Sequence, residues 1–221
     1  MKTTSVSDLS HFVELVGSAF CRGHVFRGVS EVENHPLIPT IGRFSPESNW
    51  TLPRITSEER SMLKRFKLEA APYVSGASSD LEWLVIARHH GLPVRLLDWS
   101  RNPLVALYFA VQGDNRRGGG VYVERFTRSV TERDTLNPFG LKQVAKINPV
   151  HANARISAQA SLLTIHPDPR VPYTSRSLVC LRISGKLKRD LKLSLRSFGI
   201  HPASMFPGAD GVAQNIVAWR G

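Results

Sequence analysis

Residues 87–110 read ARHHGLPVRLLDWSRNPLVALYFA, and the reading of this stretch decides the fold. Gly91 and Pro93 close the helix before it, which Ser78-Ser79-Asp80 opens as a cap, with Leu81, Leu84 and Val85 on its buried side. Val94 to Leu97 is short and apolar and predicts a buried strand. Asn102-Pro103 starts another helix, Pro103 to Gln112, apolar nearly all round and therefore a core helix. The turns between these elements gather His89, His90, Arg95, Asp98 and Trp99 against an apolar wall. Small-molecule sites are built in that way. An Arg95–Asp98 ion pair tying strand to helix is the structural alternative, since ion-pair networks gather the same residue types.

Outward from this centre, the periods alternate between helix and strand without a strict order. Leu9, Phe12, Val13 and Val16 recur at helical spacing after Ser7-Asp8. Val25 to Val29, Gly120 to Phe126, Ser161 to His166 and Leu178 to Ile183 predict strands. Thr56-Ser57-Glu58-Glu59 predicts the start of a helix running to about Ala71. Lys188 to Phe198 and Gly211 to Ala218 predict two more. Pro36 to Pro53 is rich in proline and serine and predicts loop. The mixture favours an α+β fold, and no linker divides the 221 residues, so residues 1–221 are expected to form a single domain.

The chain carries 29 Lys and Arg against 18 Asp and Glu, a net charge of +11. Such a balance favours a polyanionic partner, nucleic acid first. Its densest source is the run 176–196, where Arg182, Lys186, Lys188, Arg189, Lys192 and Arg196 are the candidate nucleic-acid contacts. The competing reading is a solvated face. Two cysteines, Cys21 and Cys180, are too few for a disulfide framework or a cysteine-built zinc site. His151, His166 and His201 lack metal-ligand spacing, so no metal is expected. Gly118-Gly119-Gly120 is followed by neither Lys-Ser/Thr nor a helix start, unlike a phosphate-binding loop. No apolar run reaches membrane length and no secretory leader is visible, so no membrane and a cytoplasmic location are expected.

The stretch around Asp98 resembles the FRG domain family, which is named for a Phe/Tyr-Arg-Gly motif matched here by Phe26-Arg27-Gly28. The family's longest signature is similar to QHHG-x-PTRLLDWT-x-NP-x-VAL-x-FA. Here it is met by His89, His90, Gly91, Pro93, Arg95, Leu96, Leu97, Asp98, Trp99, Asn102, Pro103, Ala106, Leu107, Phe109 and Ala110. Arg88 replaces its Gln, Val94 and Ser100 its two Thr. The close, Phe198-Gly199-Ile200 and Met205-Phe206-Pro207-Gly208, is also similar.

The order of elements in turn resembles an ADP-ribosyltransferase core, with split mixed and antiparallel β-sheets flanked by helices. That resemblance implies NAD as substrate. Arg27 takes the phosphate-binding slot, and Gly28 allows the backbone close to the ligand. His89, His90, Arg95, Trp99 and Tyr108 are the further cofactor-binding candidates, with Trp99 or Tyr108 stacking on nicotinamide. Arg155 is a second candidate for phosphate contact. Gln159 opens the third strand motif, and Ser161 stands where the family's catalytic Glu is expected. Asp98 is the candidate to replace that carboxylate, so the catalytic set is Arg27, Asp98 and Gln159. The implied function is mono-ADP-ribosylation of a nucleic acid, RNA favoured over DNA, by a bacterial toxin or anti-phage effector with an antitoxin partner. The alternatives are a non-catalytic nucleotide- or nucleic-acid-binding module, and a nuclease using His89 or His90 with Asp98.

Overall fold

The computed structural model describes residues 1–19, 23–43, 50–149 and 154–218, with Ser18 and Ala19 described by their backbone alone. Cys21 and His151 lie outside the described residues. The chain opens with a polar strand, β1 (Lys2–Val6), and α1 (Leu9–Ala19), followed by β2 (Val25–Val29) and a single turn, α2 (Thr40–Arg43). Two longer helices come next, α3 (Leu52–Ala70) and α4 (Asp80–His89). After them run β3 (Leu96–Ser100), α5 (Pro103–Ala110) and β4 (Gly119–Glu124). Short pieces follow: α6 (Glu132–Leu136), β5 (Ala145–Ile147), α7 (Ala154–Ala158) and β6 (Ser161–Ile165). The chain then ends with β7 (Val179–Ile183), α8 (Lys188–Ser197), α9 (Pro202–Met205) and α10 (Ala209–Val217).

The strands form one mixed seven-stranded sheet in the order β1-β7-β4-β2-β3-β6-β5. Among the described strands, only β1 and β7 run parallel. The sheet narrows at its middle. β2 meets β4 along all five of its residues, yet meets β3 through one pair, Phe26 and Ser100. Beyond that pair the two strands part, and a cleft opens between them. Helices cover both halves. α1, α5 and α8 pack with Phe12, Leu107, Leu181 and Leu191 on one half, while α3 and α4 pack with Leu63, Leu84, Leu96 and Leu163 on the other.

Several predicted boundaries shift, the predicted loop Pro36–Pro53 holds the turn of α2, and two of the shifts concern the elements around Arg95 and Asp98. α3 begins at Leu52, more than a turn before Thr56, because Thr51 caps it: its hydroxyl accepts the Arg54 N–H at 3.4 Å. Pro53 sits in the first turn, where its missing N–H leaves no gap. The hydroxyl of Thr56 instead accepts a bond from Arg95. β3 is registered two residues later than the predicted Val94–Leu97, so Asp98, Trp99 and Ser100 lie within the strand. No described helix is long and apolar enough to cross a membrane.

Candidate functional site

The opening between β2 and β3 forms a cleft of about 360 Å³, within the size range of small-molecule sites. β2 contributes Arg27, the C-terminal turn of α4 contributes Arg88 and His89, and β3 contributes Asp98. α5 supplies the apolar wall of Val105, Ala106 and Phe109, and the approach to β6 supplies Arg155, Gln159 and Ser161. All three candidate catalytic residues, Arg27, Asp98 and Gln159, therefore line one cavity, as does Arg155.

Arg27 spans the gap where the strands part. Its Nη1 donates to the Asp98 carbonyl oxygen at 2.6 Å and lies 3.8 Å from the Asp98 carboxylate. Its side chain is 16% exposed, and the buried Nε has no hydrogen-bond partner. Burial lowers the guanidinium to about 10, opposed by the nearby Asp98, so Arg27 stays charged at neutral pH. A charged donor with an unsatisfied N–H is costly in a closed core and useful in a ligand cleft.

Asp98 is held by a residue that sequence reasoning passed over. Arg88 donates to one carboxylate oxygen through Nε at 3.0 Å and Nη2 at 2.5 Å, and its Nη1 donates to Thr40 Oγ1 at 2.8 Å. The available signal was the departure itself, Arg88 in place of the family's Gln. Burial raises the Asp98 carboxyl, but Arg88, then Arg27 and His89, outweigh it and hold it below the usual carboxylate range. The carboxylate remains 40% exposed to the cleft. His89 is lowered by burial, against the pull of Asp98, and is neutral at neutral pH.

Three of the nominated cofactor contacts point elsewhere. Arg95 is fully buried and pairs with Glu59 of α3, Nε to Oε2 at 2.7 Å. The His90 ring lies against Phe66, 6.4 Å between centroids, because adjacent side chains at a helix end diverge. Tyr108 of α5 is buried in the core and borders a separate depression beside Lys192 and Arg196. Trp99 borders the cleft, but its indole is 2% exposed, donates to Thr164 Oγ1 at 3.0 Å and packs on Phe126 across the sheet. Burial leaves neither aromatic an open face for stacking. Two other aromatics line the cleft: Phe26, which is buried, and the partly exposed Phe109, three residues after Ala106 and so on the same side of α5, backed by Phe206.

Gly28 has a packing reason for being glycine. A Cβ there would stand 1.8 Å from the Ala106 carbonyl oxygen, so the residue lets α5 lie directly on β2. On the far side of the cleft the backbone is strained. Ala160 has φ +45°, a left-handed conformation that non-glycine residues seldom adopt. It turns the chain between Gln159, whose amide donates to the Met205 carbonyl at 3.0 Å, and Ser161, paired with Ser100 in the sheet.

The cations of the basic run fall into different environments. Lys188 is fully buried and donates its three N–H bonds to the carbonyls of Ser30, Gln112 and Asp114, at 2.7, 3.1 and 3.0 Å. It ties two loops to α8 and offers nothing to a partner. Arg182 pairs with Glu33 at 2.6 Å, and Lys192 is 3.5 Å from Asn115 Oδ1. Lys186 and Arg189 are exposed, while Arg196 is partly so. Among the described residues, no three His, Cys, Asp or Glu gather as a metal site.

No curated protein and no solved structure matches this chain. Residues 22–118 match the FRG domain, and that match takes in Arg27, Arg88, His89 and Asp98 but not Arg155, Gln159 or Ser161.

Proposed function

We propose that the chain is an NAD-dependent mono-ADP-ribosyltransferase with an ADP-ribosyltransferase-like fold and a nucleic acid, RNA before DNA, as acceptor. One observation carries the reading: a charged, largely buried Arg27 with an unpartnered Nε at the parting of β2 and β3, beside the half-exposed Asp98. Three arginines and one carboxylate line the cleft, a balance that suits a dinucleotide pyrophosphate. Arg27 and Arg155 bind the phosphates, and the Val105, Ala106 and Phe109 wall receives the nicotinamide.

In the transfer, the bond between nicotinamide N1 and ribose C1′ breaks, with its electron pair leaving on nicotinamide. An acceptor oxygen or nitrogen bonds to C1′ and releases its proton to water. Positive charge develops on the ribose, and Asp98, held ionised by Arg88 and Arg27, lies in the cleft to stabilise it. Gln159, anchored on Met205, orients the ribose.

Incubation with phosphate-labelled NAD and RNA, DNA or protein tests this. The expected result is label on RNA, lost in Arg27→Ala together with at least about tenfold in NAD affinity. Absence of transfer to any acceptor overturns it. Ser161, standing where a catalytic Glu is expected, favours a second reading, a non-catalytic nucleotide-binding module. NAD binding without nicotinamide release would select that one.

A further inference from the structure

Cations also line open surface away from α8. Two further depressions lie on the surface of the sheet. The first, about 610 Å³, opens at the start of β2 and shares Phe26 with the cleft. Arg101 and Lys146 stand on its wall above an apolar floor that includes Val16 and Leu162. Arg101 also donates to the carbonyl of Ser161, a cleft residue, at 3.2 Å. The second depression, about 690 Å³, shares Phe126 with the first and carries Arg125, Arg128 and Lys142 beside the partly buried Tyr173.

Among the described residues no carboxylate pairs with Arg101, Lys146, Arg125 or Lys142, whereas Arg182 of β7 pairs with Glu33. Among the described residues, no carboxylate lines the first depression. The two lining the second are engaged. Glu124 accepts from Tyr173, Ser175 and Ser177, and Asp168 pairs with Arg170 at 2.6 Å. Arg128 gives Nη2 to Asp134 at 2.7 Å while its buried Nη1 has no hydrogen-bond partner.

We propose that these two depressions form the track along which a single-stranded nucleic acid reaches the cleft. Its phosphates lie on Arg101, Lys146, Arg125 and Lys142, and its bases lie against the apolar floor and Tyr173. Cations beside apolar and aromatic surface match unpaired strands, whose bases expose their faces; a duplex hides them. The track rests on the nucleic-acid acceptor of the proposed function and replaces the run 182–196 as its docking surface.

The test is binding of a short single-stranded RNA, followed by fluorescence anisotropy across a salt series without NAD. The variants are Arg125→Ala/Lys142→Ala/Lys146→Ala and, as control, Lys186→Ala/Arg189→Ala, each checked for unchanged thermal unfolding. The triple variant is expected to bind at least about tenfold more weakly, with a salt slope shallower by about 2, as three lost phosphate contacts require. The control is expected to stay within about twofold. RNA binding that survives the triple variant, or falls equally in the control, overturns the track and leaves the acceptor standing. Failure of the wild type to bind RNA removes the nucleic-acid acceptor itself. Equal binding of polyglutamate overturns the track in favour of an acidic protein partner.

Discussion

Two arginine–carboxylate pairs stand three residues apart in the chain and behave as opposites. Arg95 and Glu59 are both completely buried. The Arg95 guanidinium also reaches Thr56 and the Pro167 carbonyl, while the carboxylate accepts the Arg95 backbone N–H at 2.6 Å. Complete burial closes both groups to a ligand. Asp98, by contrast, sits between Arg88 and Arg27 with 40% of its side chain open, and Arg27 keeps a donor unpaired. The first pair fastens α3 to β3. The second is poised over a cavity. Residue type and motif position do not separate them; exposure and unspent hydrogen-bonding capacity do.

The largest expected effect breaks the closed pair. Glu59→Gln leaves Arg95 charged and buried without its counter-ion, and removing one partner of a buried pair costs about 3–5 kcal/mol. Urea unfolding should report that loss, with NAD affinity unchanged under conditions where the variant stays folded. A variant as stable as the wild type would show that the pair fastens nothing. Asp98→Asn comes next. On the proposed transfer, loss of this carboxylate costs about 10²- to 10³-fold in rate, with stability held within about 1 kcal/mol because the side chain is partly exposed. Because Asp98 is held below the ordinary carboxylate range, the wild-type rate should show no Asp98 titration between pH 5 and 8. Single-turnover nicotinamide release across that range checks both points.

That contrast also marks what the sequence could disclose. The helix–strand–helix around Asp98 was legible from Gly91, Pro93 and Asn102-Pro103, because helix caps and breakers act locally. The convergence of Arg27, Asp98 and Gln159 was legible from the motifs of the FRG and ADP-ribosyltransferase resemblance. Partner choice was not. Arg95 and Asp98 look like a pair on paper, yet three residues along a strand place them on opposite faces, and each finds a partner on a different helix. Tyr108 and Phe109 are likewise neighbours, and only the angle of α5 on β2, set by Gly28, decides which faces the cleft. Lys188 reads as one more surface cation until the loops at Ser30 and Asp114 fold over it. The polar strand β1 escaped notice because its side chains carry almost no apolar alternation; pairing with β7 makes it a strand.

The smallest effect concerns Arg88, which separates the open pair from its family pattern. Arg88→Gln restores the residue expected at that position and removes the forked contact to Asp98 while leaving the carboxylate in place. Arg88 acts through Asp98, so this is a positioning role, and the expected loss in kcat/KM is about tenfold. It is also the charge that contributes most to holding Asp98 ionised. Its removal raises the Asp98 carboxyl, and the rate should then fall at higher acid pH than in the wild type. Arg88→Lys keeps the charge but replaces the fork with a single flexible ammonium, so it should restore the acid limb and only part of the rate. A pH–rate profile of the three proteins distinguishes the cases. If Arg88→Gln lowers the rate with no movement of the acid limb, Arg88 serves the fold through Thr40 rather than the chemistry through Asp98.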